Sequence, residues 1–263
     1  DLFEPGSVAK PLVVAAALQE EVVDRETLFF CENGKWSYAS ETIRDVGSYA
    51  WLPVHKIVRY SSNIGVAKLA LEVGPDSLHR YFTALGFAEK VGLPFMGEAK
   101  GLLRLPGEWD GMDTAAAGFG QGFAISMAQL ARAYLCLANE GVLKPLVLVS
   151  DPVLPQAQER RVFEPEIARQ VMDMLREVVE EDGTGTRARI DGITVSGKTS
   201  TAQKADPEGG YGDEHVASFV GFVPAEEPKY MVLVMVDEPK GTHYGGVVAA
   251  PAFKEIMVKT LAY

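Results

Sequence analysis

Cysteine and histidine are scarce in this sequence, which has two cysteines and four histidines in 263 residues. Cys31 and Cys136 form no CxxC pair and the histidines show no ligand spacing, so we predict no metal site and no cofactor. Cys136 continues an apolar helical pattern, which indicates a buried free thiol. Two such distant cysteines do not identify the redox compartment.

Long apolar runs and an excess of positive charge are also missing. No run reaches the roughly 18 residues needed to span a bilayer, so no membrane segment is predicted in this chain. The formal net charge of −11 argues against a nucleic-acid partner, because phosphate backbones are bound by Lys and Arg. The chain begins at Asp1 without a signal-peptide pattern, and we expect it to be part of a longer protein.

Helical periodicity dominates the first two thirds of the chain, and strands follow in the last third. The segment 24–52 shows no sustained period and is predicted as surface loops. The stretch GFGQG at 118–122 lacks the GxGxxG spacing of a nucleotide site. Helices are predicted at about 7–20, 54–60, 64–73, 76–85, 126–139, 165–181 and 249–261, and strands at about 193–196, 216–223 and 230–236.

The last predicted strand, YMVLVMV at 230–236, is apolar on both faces. Such a strand usually has neighbours on both edges and layers above and below it. The turn residues at 224–228 predict a hairpin between this strand and the strand at 216–223. Three predicted strands are few for a sheet that buries the 230–236 strand on both faces. The predicted strands therefore leave one edge of this strand without a partner.

Ser7 and Lys10 are three residues apart at the start of the first predicted helix, so they share a face. A serine becomes a useful nucleophile when an adjacent base takes its proton, and lysine can act as that base when burial or a nearby positive charge keeps it neutral. For this pair alone, a capping serine beside a solvated lysine is the stronger explanation.

Two further polar groups interrupt apolar patterns. Ser61-Ser62-Asn63 lies between two helices, where a hydroxyl and an amide can face a cleft or simply cap a helix. In SGKTSTAQK, Lys198 is flanked by hydroxyls and can bind a carboxylate, or can protect a strand edge from aggregation. Each motif taken alone favours the structural explanation.

Together, the three motifs occur in the order SxxK, SxN, KT plus a small residue, which is typical of β-lactamases and penicillin-binding proteins. The stretches EPGSVAKP, RYSSNIGVAKLAL, GTRARIDGITVSGKTSTAQK and HYGGVVAAPAFKEI extend the likeness over essentially the whole chain. The sequence thus resembles the transpeptidase domain of class B penicillin-binding proteins. This resemblance implies an α+β fold of the β-lactamase and transpeptidase type, in which an antiparallel sheet packs between helices beside an all-helical lobe.

The resemblance implies a role for each catalytic residue. Ser7 would attack the penultimate D-Ala carbonyl of a peptidoglycan stem peptide, and a second stem peptide would resolve the acyl-enzyme. Lys10 would take the serine proton, with its ammonium disfavoured by burial and by Lys198. Ser61 would pass a proton to the leaving amine, and Asn63 would orient Lys10 and the substrate amide.

The strand motif would supply the substrate-binding groups: Thr199, Ser200 and Thr201. Lys198 with the two threonine hydroxyls would hold the terminal carboxylate, and the backbone amides of Ser7 and Thr201 would form the oxyanion hole. β-Lactams would acylate Ser7 and stay bound. The family usually has Gly at the position of Ser200, and the side chain is expected to narrow or shift the site slightly.

Organisation and context also follow from the resemblance. We expect one domain, 1–263, with a helical lobe at about 24–165 and a sheet lobe formed by about 1–23 and 166–263. The family places two strands before its nucleophile helix, and these are missing here. They would flank the strand at 230–236, so we expect that edge to be exposed or covered by something outside these 263 residues. The parent protein would be anchored in the cytoplasmic membrane with this domain outside it, acting with other cell-wall proteins in cell division or cell shape. A penicillin-binding sensor or scaffold, a β-lactamase and a D,D-carboxypeptidase remain alternatives.

Overall fold

The computed structural model describes residues 1–39, 41–94, 96–148, 159–205 and 210–262. A short 3₁₀ turn, Gly6–Ala9, leads directly into the first α-helix. Among the helices of these residues, none combines the length and apolarity needed to cross a bilayer. The α-helices are α1 (Lys10–Gln19), α2 (Val54–Tyr60), α3 (Asn63–Val73), α4 (Pro75–Ala84), α5 (Gly111–Gly118), α6 (Met127–Ala138), α7 (Pro165–Val179) and α8 (Gly245–Leu261).

Most predicted helices are confirmed to within a few residues. Gly6 has a φ of +58°, and the turn after it is 3₁₀ rather than α, so the predicted helix 7–20 divides at Lys10. Helix α8 begins earlier than predicted because its glycines and Pro251 obscure the period. The sequence did not predict α5, an alanine-rich segment capped by Asp110.

The segment 24–52, predicted as loops, contains short strands instead. They are too short for an alternating pattern to be visible, because each runs for three or four residues. Ser40 lies outside the described residues. Among the described residues, this part of the chain forms two antiparallel ribbons, β1 (Leu28–Phe30) with β4 (Trp51–Pro53) and β2 (Lys35–Tyr38) with β3 (Glu41–Arg44). Later in the chain, β5 (Val142–Leu143) pairs with β6 (Arg160–Arg161).

The main sheet is antiparallel and has the order β7 (Ser196–Ala205), β8 (Tyr211–Val223), β9 (Tyr230–Asp237). The predicted strand at 193–196 is wrong in extent. Ile193 pairs only in an isolated bridge with Ile190, and β7 begins where that prediction ends. β-Branched residues drew the prediction to 193–195, whereas the paired strand is the polar SGKTSTAQKA. The polar motif of Lys198 therefore lies on an edge strand.

The sheet is packed between helices, so the α+β architecture is confirmed. On one face, Phe219 of β8 contacts Phe253 of α8, with ring centroids 4.9 Å apart. On the opposite face, Phe222 stacks near Tyr134 of α6 at 6.2 Å. Cys31 and Cys136 are buried free thiols in the helical core, as predicted for Cys136. The division into two lobes stays a prediction.

Strand β9 is paired along one edge. It runs antiparallel to β8 from Tyr230 to Asp237, and its inner side chains are only partly buried. Within the described ranges, no strand pairs with its other edge. The expectation that no strand of this chain flanks β9 there is confirmed for those residues. An unpaired strand edge carries free backbone donors and acceptors.

Candidate active site

Residues from three distant parts of the chain meet at one hydrogen-bonded cluster. Lys10 at the start of α1 donates from Nζ to Asn63 Oδ1 at 2.7 Å and to Ser61 Oγ at 3.1 Å. Lys198 on β7 donates from Nζ to the same Ser61 Oγ at 2.8 Å. The structure thus brings together the predicted residues Lys10, Ser61, Asn63 and Lys198.

The break between α2 and α3 positions Ser61. This residue ends α2 in the left-handed region with a φ of +59°, which turns the chain and directs its carbonyl and hydroxyl toward Lys10. The carbonyl accepts a third hydrogen bond from Lys10 Nζ at 2.5 Å. Ser62 then caps α3 by accepting from Gly65 N at 2.9 Å. The polar triplet is both a helix cap and part of the cluster.

Asp45, in the loop after β3, holds the start of α3. Its carboxylate accepts from Asn63 N at 2.5 Å, from Ile64 N at 3.0 Å and from Ser62 Oγ at 2.6 Å. The preceding carbonyl, of Arg44, accepts from the Asn63 side-chain amide at 2.8 Å. Sequence reasoning missed this residue because it assigned the segment to irregular loops.

The two lysines are fully buried. Burial lowers the pKa of Lys10 to about 7, and the Asp45 carboxylate opposes that shift. Burial also holds the pKa of Lys198 well below its usual value, and the charge of Lys10 adds to the lowering. The sequence analysis gave burial and Lys198 as causes of the Lys10 shift. Burial is the larger cause, and the repulsion between the two amines is mutual, so the contribution of Lys198 to the Lys10 shift stays a prediction.

The hydrogen bonds agree with one charged and one neutral amine. Lys10 Nζ donates to three acceptors, which uses all the hydrogens of an ammonium. Lys198 Nζ donates to two, Ser61 Oγ and the Thr199 carbonyl at 3.0 Å, which uses those of a neutral amine. Two buried ammonium groups around one hydroxyl would repel strongly. Of the two amines, Lys10 is therefore the better placed to carry a proton.

Ser7, the predicted nucleophile, lies on a turn of residues 4–7, which we call the nucleophile turn after that prediction. Ser7 is partly exposed, in contrast to the two lysines. As the second residue of the 3₁₀ turn, its N–H has no partner within that turn. In the part of the chain that the structure describes, Ser7 is not among the hydrogen-bond acceptors of Lys10.

The stretch GFGQG supports the nucleophile turn. Gly6 N donates to Gly120 O at 3.0 Å, and Gly122 N donates to Glu4 Oε1 at 2.9 Å. Gly120 has a φ of +81°, and a Cβ there would lie 2.1 Å from Gly6 O. Only glycine allows this approach of two backbones. The sequence analysis rejected a nucleotide site here but did not find the packing role.

Strand β7 presents its motif on two faces. Thr199 Oγ1 shares a hydrogen bond with Thr184 Oγ1 at 2.7 Å, and Thr201 Oγ1 accepts from Gly245 N at 3.0 Å. Both threonines lie on the face toward α8. Ser200 lies on the opposite face, where its hydroxyl donates to the Pro5 carbonyl at 2.9 Å. Thr184 and Gly245 were not predicted from sequence.

Residues 1–258 match the sequence family described as the penicillin binding protein transpeptidase domain. The chain belongs to this family. It is 39% identical over 259 residues to the probable peptidoglycan D,D-transpeptidase PenA of Neisseria gonorrhoeae, covering 98% of this chain and 44% of that protein. It is 35% identical over 259 residues to the peptidoglycan D,D-transpeptidase FtsI of Escherichia coli K12, covering 98% of this chain and 43% of that protein.

Solved penicillin-binding transpeptidase domains share the fold. The transpeptidase domain of Burkholderia pseudomallei penicillin-binding protein 3 is 37% identical and superposes with a TM-score of 0.92, covering all of this chain and 80% of that one. The chain spans less than half the length of the two curated relatives named above. Membership in the penicillin-binding transpeptidase family is therefore a statement about this domain.

Proposed function

We propose that this domain catalyses D,D-transpeptidation of peptidoglycan through an acyl-enzyme on Ser7. The observation that carries the proposal is the chain of hydrogen bonds from Asn63 through Lys10 and Ser61 to Lys198. It joins a carboxamide, two amines and a hydroxyl drawn from three motifs. The partly exposed Ser7 lies one helical turn before Lys10. The names of the relatives PenA and FtsI support the same reaction.

Lys10 is the base for the first step. In its neutral form the amine has a lone pair in place of a third N–H, and a pKa of about 7 makes that form abundant at neutral pH. Ser7 Oγ attacks the penultimate D-Ala carbonyl carbon while its proton passes to Lys10 Nζ. The C–O bond forms and the carbonyl oxygen becomes an oxyanion, which the amides of Ser7 and Thr201 bind.

Ser61 completes acylation. Collapse of the tetrahedral intermediate breaks the C–N bond, and terminal D-Ala leaves after its nitrogen receives a proton through the Ser61 hydroxyl. That hydroxyl contacts both amines and can be reprotonated by Lys10. In the second half, the amine of an acceptor stem peptide attacks the ester, loses a proton to Lys10, and forms the cross-link. Ser7 then regains its proton.

We propose that the terminal carboxylate of the donor peptide binds along the edge of β7, where Lys198 reaches it from one face of the strand and the hydroxyls of Thr199 and Thr201 reach it from the other. Burial and the charge of Lys10 hold the pKa of Lys198 well below its usual value. An incoming carboxylate favours the charged form. Proton uptake by Lys198 would in turn disfavour charge on Lys10, so carboxylate binding would leave Lys10 ready as a base. Substrate recognition and base activation are then linked through Ser61.

The cellular setting belongs to the same proposal. The relatives' names place them in peptidoglycan synthesis, and we propose that this domain works at the extracytoplasmic face of the membrane as part of an anchored protein. Its partners would be stem peptides, β-lactams and other cell-wall synthesis proteins.

Turnover of a D-Ala thioester in the presence of an acceptor amine tests the function. We expect thiol release from the wild type and formation of an aminolysis product whose yield rises with amine concentration. Ser7→Ala should abolish both. Product formed by hydrolysis alone would indicate a carboxypeptidase. A stable acyl-enzyme without turnover would indicate a sensor, and rapid hydrolysis of penicillin would indicate a β-lactamase.

A further inference from the structure

Ser200 is buried between β7 and the nucleophile turn. Its side chain is on the same face of β7 as that of Lys198, and the residue is 2% exposed. Its hydroxyl donates to the carbonyl of Pro5 at 2.9 Å. This hydroxyl therefore contacts the protein rather than the groove, which differs from the substrate-binding role expected from the sequence.

The fit between Ser200 and the turn is close. Gly6 has no Cβ, and a Cβ built there would lie 2.6 Å from Ser200 Oγ and 2.8 Å from the Cβ of Ala202. The space left by Gly6 is thus taken by two side chains of β7. The Gly that the family usually carries at this position of β7 would fill less of it and could not donate to Pro5.

The two proposed oxyanion donors lie on the two elements that this contact joins. The Ser7 amide belongs to the nucleophile turn and the Thr201 amide belongs to β7, next to Ser200. Gly120 and Gly122 hold the turn from the helical side. The Ser200 hydroxyl holds it from the side of the sheet. A loss of that bond frees the turn to shift relative to β7, which changes the distance between the two donors.

We propose that Ser200 is a positioning residue, whose hydrogen bond to the Pro5 carbonyl sets the spacing of the Ser7 and Thr201 amides. This inference rests on the proposed function. It assigns Ser200 an effect on the chemical step, since an oxyanion forms only as the bond to Ser7 forms. Ground-state binding of the substrate carboxylate, which depends on Lys198 and the threonines, is not affected.

Stopped-flow acylation by a fluorescent penicillin separates these effects. Ser200→Ala removes the donor and keeps the Cβ, and we expect the first-order acylation constant to fall about tenfold, the effect of losing about one hydrogen bond. The dissociation constant of the preceding complex should change less than about twofold, well below that loss. The pH profile should keep its position, because neither lysine is altered.

Ser218→Ala is the matched control. Ser218 pairs with Ser200 across the sheet, shares its face and is also 2% exposed. We expect the acylation constant of this variant to equal that of the wild type, even if its melting temperature falls. Ser200→Gly should lose acylation at least as strongly as Ser200→Ala. A faster Ser200→Gly enzyme would overturn the inference, because it would mean that the side chain only narrows the site.

The two proposals can fail separately. Wild-type protein that forms no adduct on Ser7 would refute the proposed function. Wild-type protein that is acylated on Ser7 while folded Ser200→Ala reacts at the same rate would refute the role of Ser200 alone. A raised dissociation constant with an unchanged acylation constant would also contradict it, since that result would make Ser200 a substrate-binding residue.

Discussion

Lys10 and Lys198 share one hydrogen-bond partner, the hydroxyl of Ser61, at 3.1 Å and 2.8 Å. The two lysines are 188 positions apart in the chain. Because both amines are buried, their protonation is coupled through this hydroxyl and through direct electrostatic repulsion between the two groups.

The acylation rate should depend on the protonation of Lys10. With a pKa of about 7, the amine is charged below neutral pH and cannot accept the Ser7 proton. The second-order constant for acylation by penicillin should therefore fall about tenfold per pH unit well below 7 and level off above it. Lys259→Met, which changes an exposed lysine, should keep the same profile. A constant rate from pH 5 to 8 would contradict the base role.

Removal of Lys198 discriminates between burial and repulsion as the cause of the low Lys10 pKa. Burial is the main cause for Lys10, and it also holds the pKa of Lys198 well below its usual value, which favours the neutral form of Lys198. Lys198→Met should weaken penicillin binding. The second-order acylation constant reports the free enzyme, so its decline at acidic pH, which we call the acidic limb, should stay centred near pH 7. A limb displaced upward by a full pH unit would show that a charged Lys198 sets the Lys10 pKa.

Asp45→Asn should move the acidic limb to lower pH. The Asp45 carboxylate stabilises the Lys10 ammonium, so its neutralisation lowers the Lys10 pKa further. The variant should also lose stability, because the carboxylate holds two backbone amides at the start of α3. Asp110→Asn is the control, since Asp110 caps α5 with a bond of 2.7 Å to Asp113 N. It should lower stability without moving the limb.

Two neighbouring glycines should respond differently to alanine. Gly120→Ala places a methyl group 2.1 Å from Gly6 O, so the nucleophile turn must move and acylation should be lost or strongly reduced. Gly122 has a similar φ of +80°, but its built Cβ has no atom within 4 Å. Gly122→Ala should cost only about 1 kcal/mol of backbone strain. Equal acylation losses in both, measured on folded protein, would argue against the turn contact.

Much of the fold was predictable because long helices and apolar strands carry clear periods. The boundaries of α2 matched, and β8 and β9 were found with their hairpin turn. The ribbons of segment 24–52 were not found, since a strand of three residues shows no period. Strand β7 was placed too early, because its residues are mostly polar and show no apolar strand pattern.

The candidate site was predictable in its motifs and not in its supports. Lys10, Ser61, Asn63 and Lys198 were identified by residue type and order, and the structure brings them together. Asp45 had no motif around it, because a carboxylate that caps a helix from another segment leaves no local signal. Ser200 was noticed as a departure from the family, but its partner Pro5 is distant in sequence.

Peptide mapping of the penicillin adduct by mass spectrometry tests whether Ser7 is the nucleophile. After incubation at pH 8, we expect one adduct with the full mass of the penicillin, on the peptide that contains Ser7. It should be stable for hours, absent in Ser7→Ala and formed much more slowly in Lys10→Met. An adduct on another residue, or folded wild-type protein with no adduct, would contradict the account.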